Sequence, residues 1–228
     1  MKLAVFYHAR ISGGSANINP EFGKLLLKHQ LDALVNSGLY QAADEIMIGL
    51  NGSEEDYHYV SKHCPEDICV LWHGKDSESL LPTMRFIQEV VPDIKDHHCL
   101  FFHTKGVTHP HSAIDRAWRE CMENVCITHW HKCVSDLDKG YDTVGCHWLT
   151  PERFPGMVKS PFWGGVFWWA TSKFLSRLPK LTEKNPTCRE EWFIPEHWIG
   201  TGPRPSVRDY HPFWPSERGC SQAKHLCI

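Results

Sequence analysis

Apolar residues fall in short runs separated by longer stretches with helical spacing. Residues 2–8 are almost wholly apolar, as in a strand buried on both faces. Residues 21–37 carry Phe22, Leu25, Leu26, Leu31, Leu34 and Val35 at helical spacing, and Gly38 follows as a C-terminal stop. The pattern then repeats. It predicts a strand over 45–50 ended by Asn51-Gly52, a helix over 53–63, and a strand over 68–72 leaving through His73-Gly74-Lys75-Asp76. A helix over 82–91 follows, with proline in its first turn, and then a strand over 99–102.

Strands alternating with helices of this length imply βαβ units and a mainly parallel sheet. Further on, the spacing predicts a loop over 109–114, a long helix from 115 to about 138 with Gly140 just past its end, and a fifth strand over 141–148. A loop over 150–161, a strand over 167–170 and a helix over 171–178 complete the periodic part. From Lys184 onward proline and aromatic residues dominate and periodicity fades, so the tail reads as an irregular wrap around the core. There is no internal repeat. The expected fold is α/β, a single Rossmann-like domain over 1–228 with a mostly parallel central sheet flanked by helices.

With 228 residues and 42% hydrophobic content the chain can bury a substantial core, and 22% charged residues argue against global disorder. The net charge of -3 and pI near 6.6 give no basic footprint for nucleic acid. No apolar run approaches the roughly 20 residues needed to span a bilayer. Met1 to Phe6 lacks the length and cleavage pattern of a signal peptide, so a cytoplasmic or membrane-peripheral location is expected. The ten cysteines are dispersed and read as reduced thiols. Cys121, Cys126, His129, His131 and Cys133 offer zinc-ligand types with 126, 129 and 133 on one helical face, but no C-x-x-C pair accompanies them; buried thiols and packed imidazoles are the plainer reading. The ten tryptophans concentrate in the C-terminal half, where core packing and sugar stacking both use such rings.

Two stretches carry the candidate chemistry. Leu100-Phe101-Phe102-His103-Thr104-Lys105-Gly106 is an apolar strand ending in a basic, glycine-terminated turn. Ligands of open α/β sheets bind where strands end, so Lys105 and His103 are placed to meet a diphosphate. Phe162-Trp163-Gly164-Gly165-Val166-Phe167-Trp168-Trp169 is an aromatic run broken by two glycines. Trp163 is the expected flat wall for a sugar ring, with Gly164 and Gly165 allowing close backbone approach. The G-x-G-x-x-G fingerprint, the G-x-x-x-x-G-K-[ST] loop and the G-x-S-x-G elbow are absent, which lowers nicotinamide enzymes, P-loop kinases and α/β-hydrolases.

Ser37-Gly38-Leu39-Tyr40, Phe102-His103-Thr104-Lys105-Gly106-Val107, Asp142-Thr143-Val144-Gly145 and Trp163-Gly164-Gly165-Val166-Phe167-Trp168-Trp169-Ala170 stand here in one order. Together they resemble small GT-A-type glycosyltransferases of bacterial polysaccharide clusters and large algal viruses, over most of the chain to about Trp198. Relatives usually carry Gly-Asn before Phe-Trp-Trp; this chain has Gly165-Val166, which removes an amide contact. The resemblance implies a nucleotide-sugar half over about 1–110, an acceptor half over about 111–198 and the wrap over 199–228. It implies a UDP-linked or similar donor, a glycan or glycoprotein acceptor, and Mn²⁺ or Mg²⁺ held by a D-x-D element.

Asp76-Ser77-Glu78, directly after the third strand, is the better candidate for that element, although Glu78 departs from the pattern; Asp136-Leu137-Asp138 sits at a helix C-terminus, unfavourable for anions. Tyr7 and His8 end the first strand, where this fold holds the nucleotide base; a core-facing Tyr7 is the bland alternative. His103, Thr104 and Lys105 complete the donor side. His147 is placed in the acceptor cleft. An inverting transfer needs a base for the acceptor hydroxyl, and Glu191, ahead of Glu190, is the candidate; an exposed helix start explains the same pair equally well. The competing expectation is a non-catalytic carbohydrate-binding or scaffold protein with a degenerate donor site, suggested by Val166 and the imperfect acidic triplet.

Overall fold

Strand β1 (Lys2–Arg10) is mostly apolar, with Lys2, His8 and Arg10 toward its ends, because both of its faces are covered. Leu3, Val5, Tyr7 and Ala9 join one core and Ala4 and Phe6 the other. In a computed structural model, residues 1–13, 18–74, 79–155, 158, 160–181 and 194–210 are described. The first half runs as α1 (Pro20–Asn36), the short α2 (Leu39–Ala42), β2 (Glu45–Asn51), α3 (Glu54–His63), β3 (Cys69–Gly74), α4 (Leu81–Val90) and β4 (His97–His103), as expected apart from α2, which the pattern does not predict. Local chemistry sets the ends. Asn19 caps α1, and Ser53 and Asp56 form a reciprocal capping box on α3.

The second half departs from the expected pattern. The long helix is interrupted: α5 (Ala113–Glu123) passes into a π-helical turn over Asn124–Thr128 before α6 (Trp130–Asp138). The fifth strand is only β5 (Thr143–Gly145), because the chain turns at His147, which takes a left-handed φ of 67°. Beyond that turn β6 (Trp148–Leu149) pairs with β7 (Phe162–Trp163) in a separate two-stranded ribbon. Then come β8 (Trp168–Thr171), α7 (Ser172–Leu175), α8 (Ile194–His197) and β9 (Val207–Asp209). The expected irregular wrap over 199–228 therefore contains a sheet strand: β9 lies parallel to β5. Residues 211–228 lie outside the described residues.

The central sheet has seven strands in the order β3-β2-β1-β4-β8-β5-β9. β1, β2, β3 and β4 are mutually parallel, and β8 runs antiparallel between β4 and β5. The fold is α/β, with a mostly parallel sheet flanked by helices, as the alternation of strands and helices predicts. Trp168 and Trp169 take opposite faces of β8 and both are fully buried. No helix among the described residues is long and apolar enough to cross a membrane.

Candidate active site

In a sheet ordered β3-β2-β1-β4, the connection from β1 leads away to β2 on one side while β4 lies on the other. The crevice outside the strand ends at such a divergence is where open α/β sheets take ligands. A cavity of about 460 Å³ opens there. Its walls include His8 and Arg10 from the end of β1, the 103–109 turn after β4, Ser79 and Leu80 at the start of α4, Asp115 on α5 and Glu196 on α8.

The β1 side is polar but uncharged at His8. Asn51 Nδ2 donates to His8 Nε2 at 3.4 Å, His8 Nδ1 donates to Thr83 Oγ1 at 2.8 Å, and the Thr83 hydroxyl donates to His73 Nε2 at 3.2 Å. This proton arrangement satisfies all three contacts. Burial, with His103, His73 and Arg10 nearby, holds the His8 imidazole well below the ordinary histidine range. Gly49 makes room for the cluster, since a Cβ there would stand 2.0 Å from Thr83 Oγ1 and 2.8 Å from His73 Nε2.

The turn after β4 is fixed through its carbonyls. Gln30 Nε2 donates to the His103 carbonyl at 3.2 Å and to Glu123 Oε1 at 2.8 Å. Arg119 donates to the Lys105 carbonyl at 3.1 Å, and its Nε lies 3.5 Å from Glu123. Thr104 ties the turn to β1, accepting from the Arg10 amide at 3.0 Å and donating its own amide to the His8 carbonyl at 3.1 Å. The Lys105 ammonium stands 3.8 Å from Asp115 Oδ1 and 4.2 Å from the centre of the Trp118 ring. It is a cation shared between one carboxylate and an aromatic face, at the cavity edge.

Of the expected donor-side residues, His8, His103, Thr104 and Lys105 all line this cavity. His103 does so as a neutral group: its Nε2 donates to the Gly165 carbonyl at 2.8 Å, and burial, helped by Lys105, pushes its pKa down to about 3. Tyr7 does not line it. The pleat turns that ring to the other face, where it is fully buried and stacked on Phe102 at 4.3 Å.

The proposed sugar wall also lies elsewhere. Trp163 is fully buried, donates its indole N–H to Thr143 Oγ1 at 2.9 Å and packs against Trp148. Gly164 and Gly165 accommodate protein rather than ligand. A Cβ on Gly164 would come within 2.9 Å of Leu149, and one on Gly165, at φ 80°, within 2.6 Å of Met122 Sδ. Val166 completes this turn at φ 60°, a strained value for a β-branched residue, with its side chain in the core. His147 is fully buried, edge-on to Trp118. On the Cys/His helix, His129 bonds the Asn124 carbonyl, His131 stacks on Trp130 and Cys133 bonds the Val125 carbonyl, as the plainer reading of packed imidazoles and buried thiols has it.

Sequence reasoning missed Glu196, Arg10 and Asp115 among the residues of the cavity. Burial raises the Glu196 carboxyl above the ordinary value, and Lys105 opposes the rise. The only sequence signal for Glu196 was position, an acid in the acceptor half a few residues past Glu190 and Glu191. Glu190, Glu191, Asp76 and Glu78 lie outside the described residues. Among the described residues the cavity holds no convergent set of carboxylates suited to a hard divalent cation; its positive charge comes from Arg10 and Lys105.

No protein-family model matches the sequence, and no curated protein matches it. Solved structures with a similar chain path include HddC from Yersinia pseudotuberculosis, at 12% identity over 91% of this chain and 89% of that one, with a TM-score of 0.49. A 4-diphosphocytidyl-2C-methyl-D-erythritol synthase from Anaerococcus prevotii DSM 20548 matches at 11% identity over 98% and 97% of the two chains, TM-score 0.46. A putative nucleotide-diphospho-sugar transferase from Desulfovibrio desulfuricans G20 matches at 8% identity over 92% and 80%, TM-score 0.44. These are likenesses in the path of the chain; the chemistry of the site comes from its own residues.

Proposed function

We propose that this chain is a glycosyltransferase that moves a hexosyl or deoxyhexosyl group from a UDP-linked sugar to a hydroxyl of a glycan or glycoprotein acceptor. One observation carries the reading: the cavity at the β1/β4 divergence gathers two cations, the start of a helix and a carboxyl of raised proton affinity. Arg10, Lys105 and the N-terminus of α4 are the groups suited to a diphosphate. A diphosphate carries more negative charge than Asp115 alone and so draws the Lys105 ammonium toward it. The neutral His8 cluster offers hydrogen bonds without competing charge.

Glu196 is the proposed base. As the acceptor hydroxyl oxygen bonds to the anomeric carbon, the bond from that carbon to the diphosphate oxygen breaks. The bonding pair leaves with the diphosphate, and the hydroxyl proton passes to the Glu196 carboxylate. A carboxyl with raised pKa is a stronger base for this step. Arg10 and Lys105 stabilise the charge that develops on the leaving group. Glu191 and Glu190 are assigned to the acceptor side as well, and Glu191→Gln and Glu190→Gln compared with Glu196→Gln separate the three roles. Asp76 and Glu78 precede the cavity residue Ser79 in sequence, and Mn²⁺ or Mg²⁺ held by them would share the neutralisation of the diphosphate.

The test is a panel of nucleotide sugars with and without Mn²⁺, read by release of nucleoside diphosphate, alongside calorimetry. Slow donor hydrolysis and binding that Lys105→Ala abolishes are expected. A folded protein that binds no nucleotide sugar overturns the proposal.

A further inference from the structure

Cys121, Cys146 and His147 form a cluster that the proposed transfer does not use. All three are buried, and one ligand atom from each lies within 4.8 Å of the other two. We propose that they form a zinc site of the Cys₂His type, its fourth position left for water, beside Trp118, whose ring stands edge-on to His147.

The convergence depends on an unusual backbone turn. Consecutive residues of an extended strand point to opposite faces, so Cys146 and His147 would diverge if β5 simply continued. Instead His147 takes a φ of 67°, and its imidazole comes to the same side as the Cys146 thiol. The turn is clamped from outside. Asp209 on β9 accepts from the His147 amide at 3.0 Å and from the Trp148 amide at 3.1 Å, and Arg153 bonds the same carboxylate at 3.1 Å. Cys121 arrives independently, from the buried face of α5. A strained residue held by several contacts marks a position that the surroundings over-determine.

The chemistry of the set selects the metal. Thiolate and imidazole ligands suit zinc and are poor partners for Mg²⁺ or Mn²⁺. Ligand bonds of about 2.3 Å to sulfur and 2.0–2.1 Å to nitrogen in tetrahedral directions place donor atoms about 3.5–3.8 Å apart, so an inward shift of about 1 Å seats the ion. Binding releases two thiol protons to solvent. The product, two thiolates and a neutral imidazole around Zn²⁺, has no net charge, as a buried site requires. Copper(I) in the same place would leave a buried negative charge.

The experiment measures metal in protein purified under reductant without a metal-affinity step. Wild type is expected to hold about one zinc per chain through dialysis, with Cys69→Ser, an exposed cysteine outside the cluster, unchanged. Cys121→Ser and Cys146→Ser are each expected to lose it. Cobalt(II) added to metal-free wild type should give a thiolate-to-cobalt charge-transfer band that zinc displaces, a readout that stands even if the variants fail to fold. Folded wild type that neither retains nor takes up zinc, a Cys121–Cys146 disulfide in the reductant-purified protein, or stoichiometric copper in place of zinc overturns the proposal.

Discussion

His103 Nε2 donates a hydrogen bond of 2.8 Å to the carbonyl of Gly165. This bond joins the basic turn after β4 to the glycine pair before β8, two motifs more than fifty residues apart in sequence. His103 thus acts as a neutral strut, and its low pKa has a consequence for stability. Below about pH 6.5 the unfolded chain takes up a proton that the folded chain refuses until about pH 3. Stability is therefore full above the ordinary histidine pKa and is lost as the pH falls through this window, by up to about 1.4 kcal/mol per pH unit for each such histidine. His8 contributes in the same direction. His103→Gln keeps a donor for Gly165 and removes the titration, so urea midpoints should fall less steeply with acid than in wild type. His103→Ala leaves the Gly165 carbonyl unmet and should cost about 1–3 kcal/mol at pH 7.5.

Glu196→Gln separates stability from activity. A carboxyl whose folded pKa is raised loses relative stability as pH climbs through the ordinary carboxylate range, so the charge is a burden on the fold at neutral pH. The amide should melt at or above the wild-type temperature at pH 7.5. Sugar transfer should drop by roughly 10²–10⁴-fold while donor affinity changes little. Equal transfer rates in the two proteins would remove Glu196 from the mechanism.

Lys105→Ala removes one of the two cations proposed to meet the diphosphate. Hydrogen bonds to charged groups are worth about 1.5–3 kcal/mol, so donor affinity should weaken by roughly a hundredfold, enough to abolish the calorimetric signal of a donor that binds weakly. Lys105→Arg keeps the charge but changes its shape and should recover only part of that loss.

Gly49→Ala tests the cleft's internal scaffolding. The added Cβ meets Thr83 Oγ1 and forces the His8–Thr83–His73 chain apart. A cost of about 1–3 kcal/mol in chemical denaturation is expected, as for overpacking elsewhere. A matching fall in donor affinity would tie the histidine chain to ligand binding.

The first half of the fold was legible because its physics is local. Each strand is a short apolar run, each helix has an apolar stripe, and caps such as Asn19 and Ser53 mark the boundaries. The switch-point cavity and the role of the 103–106 turn in lining it follow from the same pattern. What escaped depends on contacts between distant segments. The pleat sends Tyr7 into the core while its neighbour His8 meets the cavity, and an unbroken apolar run does not say which way each ring faces. Trp163 looked like a ligand wall because an indole beside two glycines has the same composition whether it meets a sugar or Thr143. The short β5 was overestimated because the left-handed turn at His147 depends on Asp209, which arrives 62 positions later. Glu196 carries no sequence signature beyond its position in the acceptor half; its burial, and so its chemistry, comes from folding.

β9 gives the order of synthesis a structural meaning. β5 takes its outer neighbour from Val207–Asp209, near the end of the described chain. Until those residues leave the ribosome, β5 is a bare sheet edge with unsatisfied main-chain groups, open to pairing with other nascent chains. The same late arrival brings the carboxylate that holds the left-handed turn at His147, so that turn is secured only after β9 has joined the sheet.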